Sequence, residues 1–256
     1  MNDPKIVLLA GKGNSTNIIY HALKNDFPIT AIILEEAVNK KEFIKKRIKK
    51  LGTWKVTGQI LFQLIIVKIL HVTAAKRKKE ILQQYGMNNT ELPSALIIPV
   101  NSVNDESCVK ALQEIGPDLV IVNGTRIISK QVLDCIPSKF INMHTGITPM
   151  YRGVHGAYWA LVNNDAVHCG VTIHLVDSGI DTGGVIDQHL ITVSNKDNFV
   201  TYPLLQLAEG IPLMKKAINN ILQNHLILAD SSGESRLWYH PGIFQYLYYR
   251  IIKGKK

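Results

Sequence analysis

The sequence predicts an α/β domain built on a mostly parallel sheet with helices on both faces. Two observations predict it. The strand candidates are continuous apolar runs rather than alternating ones, which suits strands covered on both faces. Those runs alternate with segments of helical periodicity through the first half of the chain. The 256 residues, 46% of them hydrophobic, are enough for one domain with a small appendage.

Residues 5–10, Lys-Ile-Val-Leu-Leu-Ala, form the first run; Gly11-Lys-Gly-Asn-Ser15 makes a turn, and Ile18, Ile19, Ala22 and Leu23 mark one face of a helix. A second strand is expected at 29–34. A basic helical insert follows over about 40–86, divided into helices at Gly52 and Gly58. Then come a strand at 95–99, a helix at about 105–115, and strands at 118–123 and 140–143. From Gly170 two strands, 171–176 and 185–193, are joined by a loop at 177–184. A helix at about 202–222 precedes a short tail holding Trp238, Tyr239, Phe244, Tyr246, Tyr248 and Tyr249. The expected division is a unit over 1–193, insert included, and a C-terminal helix and aromatic tail over 194–256, with the tail offering a homodimer contact.

The formal net charge of +9 is concentrated rather than spread. Residues 40–80 hold eleven Lys and two Arg against two Glu, a net +11, so the remainder of the chain sums to −2. A near-neutral domain therefore carries one basic segment, and the charge is no argument for a nucleic-acid partner at the rest of the molecule. The apolar stretch 54–72 is interrupted by Lys55, Thr57, Gly58, Gln59, Gln63 and Lys68, which argues against a spanning helix. Its flanking bases suit peripheral, in-plane association with an anionic membrane through residues 40–80. Three cysteines without a CxxC pair predict neither a disulfide framework nor structural zinc. The five-residue apolar run before Gly11 is short for a signal peptide, so a cytoplasmic protein is expected.

In an open parallel sheet, ligands bind beyond the carboxyl ends of the strands. Three loops qualify. The first, with Gly11, Gly13, Asn14 and Ser15, brings backbone amides to a helix N-terminus, where an anion is held. It lacks G-x-G-x-x-G and the G-K-[ST] ending, which disfavours a dinucleotide or NTPase site. The second reads Asn142-Met-His-Thr-Gly-Ile-Thr-Pro-Met-Tyr-Arg-Gly-Val-His155. Asn142 and His144, two apart on a strand, face one side and converge on one volume. The third supplies Asp177 and Asp181 among glycines at 179, 183 and 184. A carboxylate from Asp181 reaching His144 would orient the imidazole and stabilise its charged form. No Ser or Cys has a neighbouring base, and His144, His155, His168 and His174 are irregularly spaced, so neither a covalent nucleophile nor a metal centre is expected.

Asn-Met-His144, Pro149-Met-Tyr-Arg-Gly153, Trp159-Ala-Leu161 and Val176-Asp-Ser-Gly-Ile-Asp-Thr-Gly183 resemble the formyltransferase family that uses 10-formyltetrahydrofolate, most strongly over residues 120–188. The resemblance implies a Rossmann-like formyltransferase fold. It also implies that Asn142, His144 and Asp181 take the places of the family's catalytic Asn, His and Asp. The folate pocket would fall on Asn123, Gly124, Thr125, Arg126, Ile127 and Ile128, and on Val176, Asp177, Gly179 and Ile180. The acceptor would meet Gly11, Gly13, Asn14 and Ser15, with Tyr151, Arg152, Gly153 and His155. Direct transfer to a primary amine, with no metal, is the implied chemistry.

For the acceptor, Tyr151-Arg-Gly and Trp159 look most like the sugar branch, so a nucleotide-linked 4-amino-4,6-dideoxy sugar for surface polysaccharide is expected. Glycinamide ribonucleotide is the alternative, on the likeness at Gly-Val-His155 and over 168–175. The 63 residues after the last expected strand argue against a tRNA-binding appendage. A non-catalytic folate- or nucleotide-binding module, or a basic membrane-docking module, is the reading from another class.

Overall fold

A computed structural model describes residues 3–255, apart from the side chain of Lys40. Strand β1 (Ile6–Gly11) leads into α1 (Asn14–Leu23) and β2 (Ile29–Glu35). The basic segment holds α2 (Lys40–Leu51), α3 (Thr53–Leu61), a π-helical stretch (Phe62–Val67), α4 (Lys68–Thr73) and α5 (Ala75–Gln84). Then follow β3 (Ile97–Val100), α6 (Glu106–Ile115), β4 (Leu119–Asn123), α7 (Lys130–Leu133) and β5 (Lys139–His144). A two-residue strand β6 (Arg152–Gly153), α8 (Gly156–Val162), β7 (Gly170–Leu175) and β8 (Val185–Leu190) come next. The chain continues through α9 (Tyr202–Leu222), β9 (Leu237–Trp238) and α10 (Ile243–Ile252).

The main sheet has the order β3-β2-β1-β4-β5-β7-β8. Strands β3 through β5 pair in parallel, while β7 and β8 add antiparallel at the far edge. Its two faces are filled by alternate residues of the same strands, as the pleat dictates. Ile6, Leu8 and Ala10 pack with α1 and α9 on one side, Val7 and Leu9 with Cys108, Leu112 and Val132 on the other. This double burial is why the strands read as continuous apolar runs. The helix α9, expected in the C-terminal part, sends Leu207, Met214, Ala217 and Ile218 into the first of these layers.

The basic segment differs from its expectation at Gly58. The chain does break at Gly52, whose φ is 82°, but runs on helically through Gly58 and the π-helical stretch as one helix, Thr53–Thr73. The helix passes Gly242 at Gly58, where a Cβ would sit 3.7 Å from the Gly242 Cα, in ordinary contact. The helix rises about 31 Å at 1.5 Å per residue. Its mean hydropathy of 1.6 makes it long and apolar enough to cross a membrane by length and composition, which its interruptions by five polar residues and Gly58 had argued against. Its inner face, however, is fixed to the domain. Val56, Gln59 and Phe62 are buried, and Phe62 lies within a 5.0 Å ring contact of both Phe199 and Tyr246.

The aromatic tail packs largely on its own chain. Trp238 stacks between Tyr151 and Trp159, with centroids 5.8 and 4.9 Å away, while β9 pairs with β6. Tyr246 joins Phe62, Tyr158 and Phe199 in a third apolar cluster, which pins the basic segment and α10 to α8 and the start of α9.

Candidate active site

At the carboxyl ends of β4 and β5 a cavity of about 500 Å³ opens, lined by residues of all three loops singled out from the sequence. Asn142 and His144 project from the end of β5 into it, and Asp181 reaches it from the loop between β7 and β8. Asp181 has φ 51°, a left-handed conformation that Asp tolerates better than most residues. Its Oδ2 accepts from the Gly153 N–H at 2.8 Å and stands 3.3 Å from His144 Nδ1. On the other side of the ring, His144 Nε2 donates to the Tyr151 carbonyl at 2.7 Å. Nδ1 thus faces a carboxylate and Nε2 a carbonyl, so both ring nitrogens stand against acceptors. The expected contact between Asp181 and His144 is therefore made, and the ring is doubly tethered in a site where both side chains are largely shielded from water.

The sequence reading missed His174. It faces Asn142 across the antiparallel β5–β7 pair, and Asn142 Nδ2 lies 3.1 Å from His174 Nε2. His174 Nδ1 donates to Leu175 O at 2.7 Å, so Nε2 is the acceptor and the amide group of Asn142 must turn its N–H towards it. Burial holds the His174 pKa below its ordinary value, against the pull of that hydrogen bond, which keeps the ring neutral for this role. One N–H of Asn142 remains for a ligand. The available signal was a lone histidine in an otherwise apolar strand, which needs a partner when buried.

Asn123, Gly124, Thr125, Arg126, Ile127 and Ile128 all line the cavity, as do Val176, Asp177, Gly179 and Ile180. Glu35, also missed from sequence, fixes the first group: its buried carboxylate accepts from Arg126 N at 3.0 Å, from the Arg126 guanidinium and from Val103 N. Asn123 Nδ2 donates to Thr16 and Ser15 at the start of α1. Asp177 accepts from Gly179 N and Thr182 Oγ1, closing its own loop as a turn. Val122, Ile128, Val176 and Leu207 supply apolar walls beside the backbone of 124–127. A flat heteroaromatic ring with polar edges fits such walls, so the residues present suit the pterin of a folate.

The acceptor residues are placed less uniformly. Ser15, Gly153 and His155 line the cavity, whereas Gly11, Gly13, Asn14, Tyr151 and Arg152 do not. Gly11 is needed for packing, because a side chain there would run into the carbonyl of Gly124. Tyr151 is buried in the stack with Trp238, and its hydroxyl donates to Asp165 at 2.7 Å; burial pushes its pKa up to about 12. Arg152 donates to Ile180 O at 3.0 Å and so braces the loop that carries Asp181. His155 stands at the cavity wall against Phe199 and within 3.1 Å of His240 Nδ1, which also lies 2.9 Å from Gln63 Nε2 of the basic segment. Burial lowers the pKa of both histidines, that of His240 to about 4.

The sheet, its switch of strand direction beside β5 and the paired Asn and His at that strand's end make an open α/β scaffold with a polar cavity at the strands' carboxyl ends. The chain belongs to the formyl transferase family, whose description matches residues 57–204. Among sequence relatives, it is 37% identical over 146 residues to the methionyl-tRNA formyltransferase of Finegoldia magna, covering 56% of this chain and 45% of that protein. It is 29% identical over 133 residues to that of Thermodesulfovibrio yellowstonii, covering 52% and 43%. The chain thus spans less than half the length of these relatives. Among solved structures, a sugar N-formyltransferase from Shewanella aligns at TM-score 0.58 and 16% identity over 92% of this chain and 76% of that one. Phosphoribosylglycinamide formyltransferase from Anaplasma phagocytophilum aligns at 0.57 and 19%, over 92% and 98%. An N-formyltransferase from Helicobacter canadensis, solved with folinic acid and dTDP-3-aminofucose, aligns at 0.55 and 22%, over 91% and 70%.

Proposed function

We propose that the protein transfers a formyl group from 10-formyltetrahydrofolate to the primary amine of a nucleotide-linked amino sugar. One observation carries the transfer chemistry: Asn142, His144 and Asp181 meet at one cavity wall, with His144 tethered between Asp181 and Tyr151 O. The free N–H of Asn142 donates to the oxyanion that forms as a neutral amine attacks the formyl carbon. The imidazolium of His144 stabilises the same charge. A single donor of this kind contributes about 3–4 kcal/mol. Asp181 holds the imidazolium and takes part in moving the proton from the attacking amine to the departing folate nitrogen. The loops at 123–128 and 176–180 grip the folate.

The sugar acceptor is supported by the likeness of Tyr151-Arg-Gly and Trp159 to the sugar branch, while the fold is shared alike with sugar and phosphoribosylglycinamide formyltransferases. Tyr151 and Trp159 themselves are engaged in packing. The sequence relatives favour a second acceptor, an aminoacyl-tRNA. The deciding assay supplies 10-formyltetrahydrofolate with a panel of nucleotide-linked amino sugars, glycinamide ribonucleotide and methionyl-tRNA. Turnover of an amino sugar is expected; turnover of the ribonucleotide or tRNA alone overturns the choice of acceptor. A homodimer through the tail gains no support from the packing of Trp238 and Tyr246 inside the chain.

A further inference from the structure

Among the described residues, exposed large apolar side chains gather on the outer side of the basic segment and on α10. Along the Thr53–Thr73 helix, Trp54, Leu61, Ile65 and Val72 recur at spacings of seven, four and seven, which places them on one stripe. All four are exposed, Trp54 at 89% and Val72 at 77%. The stripe faces away from Val56, Gln59 and Phe62, the residues that hold the helix to the domain. Helix α10 packs beside it through Gly242 and Tyr246, and it too turns an apolar stripe outward: Phe244, Tyr248, Ile251 and Ile252. Two neighbouring helices thus bury one side against each other and the domain, and leave the other apolar.

Cations rim both. Lys45, Lys46, Lys49 and Lys50 on α2 are exposed, as are Lys55 and Lys68 on the helix itself. Arg47, Lys50 and Lys55 gather within about 6 Å of the Tyr239 ring. Arg250 in the last turn of α10 and Lys253 just past its end are exposed as well. Among the described residues, Arg77 is the only cation of the basic segment in an ion pair. The patch therefore keeps its charge for an outside partner, and that partner must be anionic and apolar at once.

We propose that this face docks on an anionic bilayer, with the two helices lying in the interfacial plane, their outward stripes among headgroups and acyl ends and the lysines against lipid phosphates. The helix lies flat rather than crossing, because Gln59 Nε2 donates to His240 O at 2.7 Å and Phe62 is fully buried, so the inner face stays with the domain. Lys55 and Lys68 at the stripe edges have stems long enough to reach the lipid phosphates. This proposal stands apart from the catalytic reading, since binding needs neither folate nor amine.

Trp54 is the natural reporter, since Trp159 and Trp238 are packed in the aromatic stack. Full-length protein is mixed with vesicles of phosphatidylcholine alone or with added phosphatidylglycerol, and binding is read by co-sedimentation, Trp54 depth by emission and by quenching from brominated acyl chains. The expected result is binding at least about tenfold tighter to the anionic vesicles, a blue shift, and quenching by the lipid bromines. Replacing Lys45, Lys46 and Lys49 by Gln weakens binding at least about tenfold; Ile65→Glu with Phe244→Glu abolishes the quenching while circular dichroism stays unchanged. Failure of the folded protein to bind either vesicle overturns the proposal. So does salt-sensitive binding with unchanged Trp54 emission, which is charge attraction alone. Self-association removed by Ile65→Glu and Phe244→Glu, without lipid binding, assigns the face to a second copy and also overturns it.

Discussion

The sheet's carboxyl edge and the basic segment handle polar and apolar surface in opposite ways. At the edge, polar groups are drawn inward and partnered: His144, His174, Asp181 and Glu35 are each held by two or more contacts in nearly dry surroundings. In the segment, apolar groups are turned outward and cations stand around them. The first arrangement fixes charge where a reaction needs it; the second offers a surface. The two meet at Phe62 and at the Gln63–His240–His155 series, which ends at the cavity wall, while Arg77 ties the segment to the buried Asp197. A molecule organised this way should let the regions be disabled separately.

The sharpest break is at Asp181. Asp181→Asn leaves the size of the side chain and removes the charge facing His144; turnover should fall about 10³–10⁴-fold with little change in melting temperature. A loss of less than about tenfold would show that the carboxylate only braces Gly153. Phe62→Ala attacks the seam instead. It should cost about 3–5 kcal/mol of stability, read by denaturant titration, because the ring fills a site shared by Phe199 and Tyr246.

Acid probes the same seam. His240 is held at a pKa of about 4 by burial, with Arg47 adding to the effect, and His155 is lowered by burial in the same sense. At His240 the unfolded chain binds a proton from about pH 6.5 downward, the folded chain only nearer 4, so this site's contribution to stability is full above about 6.5 and falls as pH drops towards 4. The expected loss from His240 is about 3 kcal/mol over that window, and His240→Gln should remove that part and leave the part due to His155. A pH-independent melting temperature between those limits contradicts the burial of the pair. The smallest effect belongs to His174→Ala, which frees the Asn142 amide without removing it: kcat should drop about ten- to a hundredfold while KM changes little. An unchanged kcat removes His174 from the site's design.

Much of this was legible in the residues. The continuous runs announced a sheet covered on both faces, and Asn142, His144 and Asp181 could be paired because strand period and loop glycines bring them together. His174 was harder to see, since its importance depends on which residue stands opposite on β5, a register set across the long connection 145–169 and not by a tight turn. Tyr151 and Arg152 were read as binding residues from local motif likeness, yet distant partners, Trp238 and Ile180, decide their orientation. Gly58 looked like a helix break because its backbone propensity is weak; the burial of Val56, Gln59 and Phe62 on either side of it overrides that. Likewise the exposure of Trp54 and Val72 follows from which side of the helix Phe62 claims, and spacing alone does not reveal that.

The most direct test of the central claim is single-turnover formyl transfer from 10-formyltetrahydrofolate to the acceptor identified in the panel, comparing the native chain with His144→Ala. The account predicts rapid formation of formylated amine by the native protein and a rate at least about a thousandfold lower for the folded variant. Near-native transfer by folded His144→Ala would contradict it.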